Sequence, residues 1–342
     1  MNATGDPQDP FVSVVVVNHN GRDVLLPCLE SVYAQPHRNL EVILVDNAST
    51  DSSVASVREE FPGVRILSNR TNRGFAGPCN QGVEAARGEY VVLLNNDTVV
   101  TDSWIGGLLR TMADPHVGAA ASRVVTDGVP ARFYEMNGTL NYAGYNIMRH
   151  FADLSMVFFA GGASLMFRKS VVGLPFPEVF FLYQEDVFLS WRLRLRGYDI
   201  RMAQDSLVYH RGSVSAKRAF PPEVTFYQER NRLLNCLLLY EGKTLVRLSP
   251  YFLLDAAAKT VLSVLAGRKS LRGILRAYGS VSTHGGWILK ERRALRRERI
   301  MGDRAVLRLM SSKVMEGESP LAATLNGASR LYARMVGLRR HD

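Results

Sequence analysis

Cysteine is scarce, with three residues in 342 (Cys28, Cys79 and Cys236) and no Cys-x-x-Cys pair. That spacing excludes a disulfide framework and a thiolate zinc site, and it fits a reduced compartment. Long apolar runs are missing too: no uncharged stretch approaches the roughly 18 residues of a membrane span. The N-terminus opens on Asp6, Pro7 and Asp9 instead of a basic and then apolar leader. Neither Gly-x-Gly-x-x-Gly nor Gly-Lys-[Ser/Thr] is present, and the turn after the first apolar run reads Asn18-His19-Asn20-Gly21. A dinucleotide site and a P-loop are thereby disfavoured. No internal repeat or low-complexity tract is evident. The expectation is a cytoplasmic protein, long enough to bury a full core.

Charge is unevenly spread. Residues 1–210 hold 17 Lys+Arg and 22 Asp+Glu, a net of −5, whereas residues 211–342 hold 25 and 10, a net of +15. A basic tail of this kind meets an anionic membrane surface or nucleic acid, or is simply a solvated helix face. Aromatics are too sparse around the basic run 290–299 to favour nucleic acid.

Short apolar runs alternate with helical patterns. Strands are expected over 11–17, 40–45 and 64–67, in the stretch 90–97, whose apolar run ends in Asn95-Asn96-Asp97, and over 117–125. Helices are expected over about 23–34, up to Glu60, over about 78–87, and from Asp102 or Ser103 to Asp114-Pro115. This order implies a parallel, doubly wound sheet. Residues 127–155 resist assignment. Met156–Phe159 and Ser164–Phe167 read as one strand interrupted by glycines, and 200–202 and 207–210 as short strands. Trp191–Arg196 alternates like a strand, but the acidic start at Glu185-Asp186 and the stop at Gly197 favour a helix. Beyond Pro221-Pro222 the pattern turns helical, over 223–241 and 251–266. The expected division is residues 1–220 for the sheet domain and 221–342 for a basic, amphipathic helical extension.

Three buried runs end abruptly in polar residues: Asn18-His19-Asn20, Asp46-Asn47-Ala48-Ser49, and Asn95-Asn96-Asp97. In an open parallel sheet, ligands bind beyond the carboxyl ends of the strands. Read alone, Asp46 and Asp97 equally cap turns, Asp186 equally caps a helix, and His210 equally belongs to a core.

Five motifs in order resolve the reading further. They are 15–21 (Val-Val-Val-Asn-His-Asn-Gly), 44–51 (Leu-Val-Asp-Asn-Ala-Ser-Thr-Asp), 72–82 (Asn-Arg-Gly-Phe-Ala-Gly-Pro-Cys-Asn-Gln-Gly), 93–98 (Leu-Leu-Asn-Asn-Asp-Thr) and 180–187 (Phe-Phe-Leu-Tyr-Gln-Glu-Asp-Val). Together they resemble the family 2 glycosyltransferases over about residues 11–235, nearest to a rhamnosyltransferase-like branch that uses dTDP-sugars. The resemblance implies a GT-A fold, an α/β architecture with a mostly parallel sheet and helices on both faces. It implies that Asn18, His19 and Asn20 line the nucleoside and that Asp46 binds the pyrimidine. Asn72, Gly74 and Asn80 would shape the nucleotide and diphosphate side. Asn95, Asn96 and Asp97 form the Asp-x-Asp-type segment, with Asp97 holding a divalent cation (Mg2+ or Mn2+) and His210 as its second protein ligand. Asp186 matches the catalytic base, with Glu185 beside it facing the acceptor.

The chemistry is coherent. A hard cation neutralises the leaving diphosphate, and a carboxylate takes the acceptor proton. At a helix N-terminus, Asp186 would be kept ionised by the dipole.

Departures are also present. Asp97 follows two asparagines instead of carboxylates, and position 188 is Phe where the family often has Asp. The implied activity is inverting transfer of a sugar, such as rhamnose, from a nucleotide donor to a glycan or lipid-linked acceptor in cell-envelope polysaccharide synthesis. The tail would attach peripherally to the inner face of the membrane or form a homo-oligomer contact. The departures keep a weak or inactive sugar- or lipid-binding module open; a nucleotidyltransferase is the other alternative.

Overall fold

The computed structural model describes residues 9–126, 133–150, 157–211, 221–266, 268–314 and 320–338. Met156, at the start of one expected strand, and residues 212–220, before the expected domain boundary, lie outside that set. The first half alternates strand and helix: β1 (Val12–Asn18), α1 (Leu25–Tyr33), β2 (Leu40–Asp46), α2 (Ser53–Glu60), β3 (Arg65–Ser68), α3 (Ala76–Ala85) and β4 (Tyr90–Asn95). Then come β5 (Thr98–Val100), α4 (Trp104–Met112), β6 (Val117–Thr126), β7 (Phe133–Leu140), β8 (Asn146–His150), β9 (Ser164–Arg168), α5 (Lys169–Val172), α6 (Glu185–Leu195) and β10 (Asp199–His210). The remainder is helical: α7 (Pro221–Leu239), α8 (Gly242–Ala266), α9 (Arg268–Thr283), α10 (Gly285–Glu298), α11 (Asp303–Leu307) and α12 (Pro320–Met335).

Eight strands form one mixed sheet in the order β3-β2-β1-β4-β9-β6-β10-β5. Its left half is parallel, and β9 runs antiparallel to both β4 and β6. The strands carry runs of Val, Ile and Leu because both faces are covered. Val12, Val14 and Val16 point into a core shared with α1, α2 and α4, whereas Val15 joins the opposite core with α3 and α6. Val42 and Leu44 against Ile43 and Val45 repeat this division, as expected of a two-residue period.

Register then sets the rim. Asn18 lies opposite Asp46, and Val17 opposite Asn95, so the polar strand ends converge at one edge. On the far side β10 pairs antiparallel with β5, placing His210 opposite Thr98. Between Ala203 and Leu207 the pairing of β10 with β6 shifts, leaving Gln204, Asp205 and Ser206 as a bulge. The two short strands expected at 200–202 and 207–210 are thus one bent strand. The undecided stretch contains the β7–β8 hairpin.

The extension is built into the same core as the sheet. Leu234, Cys236, Leu238 and Tyr240, in and just after α7, are buried in one cluster with Trp191 of α6 and with Val306 and Met310 near α11. Trp191 packs edge-on against Phe158 and Tyr240, with ring centroids 5.7 and 4.7 Å apart. The helix expected from 251 begins at Gly242 and runs through Pro250. Pro250 lacks the N–H that would bond the Val246 carbonyl, and Ser249 Oγ donates to that carbonyl instead, at 2.8 Å.

Candidate active site

The carboxyl ends of β1, β2 and β4 open into a cleft of about 300 Å³. Nine of the residues singled out in the sequence line it: His19, Asn72, Gly74, Asn95, Asn96, Asp97, Glu185, Asp186 and His210. Four do not. Asn18 is buried behind the rim and donates to Ser49 and Ser53 (3.1 and 2.9 Å), and its Oδ1 accepts from Asn96. Asn20 stands outside and accepts from the Thr50 amide at 2.7 Å. Asp46 accepts from the Ser49 amide at 3.2 Å, the turn-capping geometry. Asn80 is buried and exchanges two hydrogen bonds with the Phe176 backbone (2.7 and 3.1 Å).

Asn47, quoted in the sequence but given no role there, is the hub of the sheet side. Its Nδ2 donates to Asn72 Oδ1 (2.8 Å) and to the Gly74 carbonyl (2.7 Å), and its Oδ1 accepts from the Arg73 amide (3.0 Å). His19 Nδ1 lies 2.9 Å from the Asn47 carbonyl. One amide thus fixes the 69–74 loop against the end of β2. Gly74 has φ +74°, and a Cβ there would sit 2.2 Å from the Phe181 carbonyl oxygen. Only glycine allows the two loops to meet, through the Phe75 amide donating to Phe181 at 2.5 Å.

The Asp97–His210 pair forms at the other end of the rim. His210 Nε2 lies 3.1 Å from Asp97 Oδ1 and 3.4 Å from Asn95 Nδ2, and the Arg211 amide donates to the Asp97 carbonyl at 3.0 Å. The β5–β10 register brings together residues 113 positions apart. Among the described residues no three His, Cys, Asp or Glu side chains converge as a closed metal cage. One carboxylate, one imidazole and neighbouring amide oxygens suit an open site, where a cation takes its remaining ligands from a phosphorylated substrate. His210 Nδ1 is buried without a hydrogen-bond partner among the described residues, so no second group orients the ring.

The acidic pair opens α6. Asp186 Oδ1 accepts from the Val187 amide (2.8 Å) and Oδ2 from the Gly162 amide (3.2 Å), leaving the carboxylate half-buried in the cleft wall. Glu185 is buried, and its Oε2 has no partner among the described residues. Burial, and then the neighbouring Asp186 charge, push the Glu185 carboxyl well above the usual carboxylate range. Asp186 is also shifted upward, because desolvation outweighs its two amide bonds and the helix dipole expected to hold it ionised. Both carboxyls of the pair are thus shifted in the direction that favours a bound proton, and Glu185 is the more buried of the two. Phe188, at the departing position, is a core residue packed on Phe180 with centroids 5.4 Å apart.

The loop before α6 is strained. Phe181, Tyr183 and Gln184 have φ of 59°, 69° and 67°, values side chains other than glycine rarely adopt. Helix α7 holds it there. Asn231 Nδ2 lies within 2.7–2.8 Å of the Phe180, Leu182 and Tyr183 carbonyls. Arg230 donates to Val179 and Phe180, and Asn235 donates to Gln184 at 3.0 Å. All three braces are buried. Sequence reasoning missed them. The available signal was a polar run, Glu229-Arg230-Asn231-Arg232 with Asn235, leading into the leucine-rich half of the helix.

Comparison with known proteins fits this geometry. The sequence model described as glycosyl transferase family 2 matches residues 13–173. Residues 13–173 are thus similar to glycosyl transferase family 2. Glycosyltransferase GlyG of Streptococcus pneumoniae is 33% identical over 30% of this chain and 36% of its own length. A glucosyltransferase of Escherichia coli, WfaP, named for UDP-Glc and an α-D-GlcNAc-diphosphoundecaprenol acceptor, is 25% identical over 61% of this chain and 81% of its own. A mannosyltransferase structure from Pyrobaculum calidifontis, in complex with GDP-Man and Mn2+, superposes with a TM-score of 0.50. It is 18% identical and covers 96% of this chain and 84% of that one, a likeness of GT-A fold. The chain spans about a third of the length of the first curated relatives it matches.

Proposed function

We propose that this protein is a metal-dependent, inverting family 2 glycosyltransferase. It moves a sugar from a nucleoside diphosphate-sugar to a hydroxyl of a glycan or lipid-linked acceptor. The observation that carries this reading is one cleft holding both an Asp97–His210 pair and a Glu185–Asp186 pair. The first suits a diphosphate, the second a nucleophile.

Asp186 removes the proton from the acceptor hydroxyl. The freed oxygen forms a bond to the anomeric carbon as that carbon's bond to the diphosphate breaks, and the electron pair leaves on the nucleoside diphosphate. A single displacement inverts the anomeric centre. Glu185, beside Asp186, is biased by burial toward its neutral form, which limits the like charge facing that base. Asn47, His19 and Asn72 border the donor side. Asp97 and His210 would hold a divalent cation, Mg2+ or Mn2+, which when bound acts as a Lewis acid on the leaving diphosphate.

The motifs name a dTDP-sugar such as dTDP-rhamnose as the first donor to test. The relatives' names add UDP-Glc and GDP-Man. Thermal shift against dTDP-, UDP- and GDP-sugars, with and without manganese, reads donor choice and cation dependence together. A manganese-dependent rise in Tm with one donor, abolished in Asp97→Ala, is expected. No shift with any donor would end the proposal.

A further inference from the structure

Between Gly242 and Leu254 the outer face of α8 is apolar and basic. Val246, Pro250, Leu253 and Leu254 recur at helical spacing and share one stripe. Val246 is 73% exposed, Leu253 70% and Leu254 72%. Lys243 and Arg247 are exposed along the same stripe. Lys243 reaches back to Glu241 at 2.8 Å, and Arg247 meets no carboxylate among the described residues. The next acid, Asp255, is turned inward, 2.7 Å from Tyr145 Oη and 3.1 Å from Arg232. The stripe itself therefore carries no anion.

Branched side chains left in water in one row mark a contact surface. A second copy on a twofold axis would set this basic stripe against its own image, like charge facing like. Nucleic acid would satisfy the cations and leave the leucines in water. An anionic bilayer satisfies both, with aliphatic side chains at the acyl boundary and cations among the headgroups. The +15 surplus of residues 211–342 matches that partner.

We infer that α8 seats on an anionic lipid surface through the Val246–Leu254 stripe. The inward face of α8 is tied to α7 through Lys259–Glu229 and Arg232–Asp255, and α7 carries the Asn231 brace. The lipid surface would thus lie one helix away from the cleft. The purpose of this seat, presenting the cleft to a lipid-linked acceptor, rests on the proposed function. Its test does not.

The full chain is sedimented with phosphatidylcholine vesicles, with and without phosphatidylglycerol, at low and high salt. Pelleting with the anionic vesicles alone, weakened by salt, is expected. The Leu253→Asp/Leu254→Asp variant should lose roughly ten-fold in partitioning. Both positions are exposed, so its circular dichroism should match wild type; should it not, Val246→Ser/Leu253→Ser is the substitute. Wild type remaining in the supernatant, or a folded variant pelleting equally, would overturn the inference. So would light scattering that finds a dimer dissolved by the same substitutions. A failed donor assay with intact pelleting would sink the proposed activity and leave the lipid seat standing.

Discussion

On the sheet side of the cleft, Asn47 holds the 69–74 loop through bonds spanning 22 to 27 positions of chain. On the α6 side, Asn231 holds residues 180–183 across 48 to 51 positions, from a helix of the extension. The first side is assembled from neighbouring β-α units, and its own left-handed residues, Asn20, Ala48 and Gly74, sit in the loops that those units supply. The second stores three left-handed residues, each costing on the order of 1 kcal/mol or more, and relaxes unless a buried amide opposes it. Donor binding should therefore depend on local structure, and proton removal on tertiary bracing.

Four substitutions would sharpen or break that contrast. Asp186→Asn removes the base itself and should lower kcat by about 10²–10⁴-fold with little change in donor KM, read by donor turnover with acceptor present. Asn231→Ala should lower kcat by tens of fold, leave donor KM within about two-fold, and cost roughly 2 kcal/mol in urea unfolding. A donor KM that rose in step would mean the two sides are not separable. Asn47→Ala should do the reverse, weakening donor affinity by about ten-fold at nearly constant kcat, as titration calorimetry would record.

Glu185→Gln should have the smallest effect, visible only against pH. In the folded chain the Glu185 carboxyl is pushed upward, so the unfolded chain binds fewer protons between the two values and stability falls as pH rises through that interval. The variant, which needs no proton, should gain Tm over wild type at mildly alkaline pH and match it near pH 5, taken as about the upper edge of the ordinary carboxyl range. Equal Tm values at both pH values would show that burial does not hold the proton there.

The same contrast explains what could be read in advance. Strand ends such as Val17-Asn18 and Leu94-Asn95-Asn96-Asp97 announce themselves by an abrupt change of polarity. The parallel half of the sheet and the helix at Glu185 were legible for that reason. The antiparallel β9 was not, because direction in a sheet is fixed by register and leaves no trace in a five-residue run. Asp46 illustrates another limit. Its side chain caps the Ser49 turn, as the sequence alone also allowed, and the neighbouring Asn47, to which no role was given, lines the cleft. The helix expected from 251 in fact starts at Gly242 and includes Pro250, where Ser249 Oγ bonds the Val246 carbonyl that the proline leaves without an amide. Asn231 could not be read at all, since its worth lies in carbonyls about fifty residues upstream.

The three-residue bulge at Gln204–Ser206 works as a spacer of fixed thickness. Upstream of it β10 is locked to β6, and downstream its last residues are threaded against β5. Trimming the spacer by a single residue would rotate the strand end by one step, turn His210 out of the cleft, and present a neighbour opposite Thr98. Evolution could thus silence or retune this protein by changing a length in a largely exposed bulge, with every residue of the cleft still spelled as before.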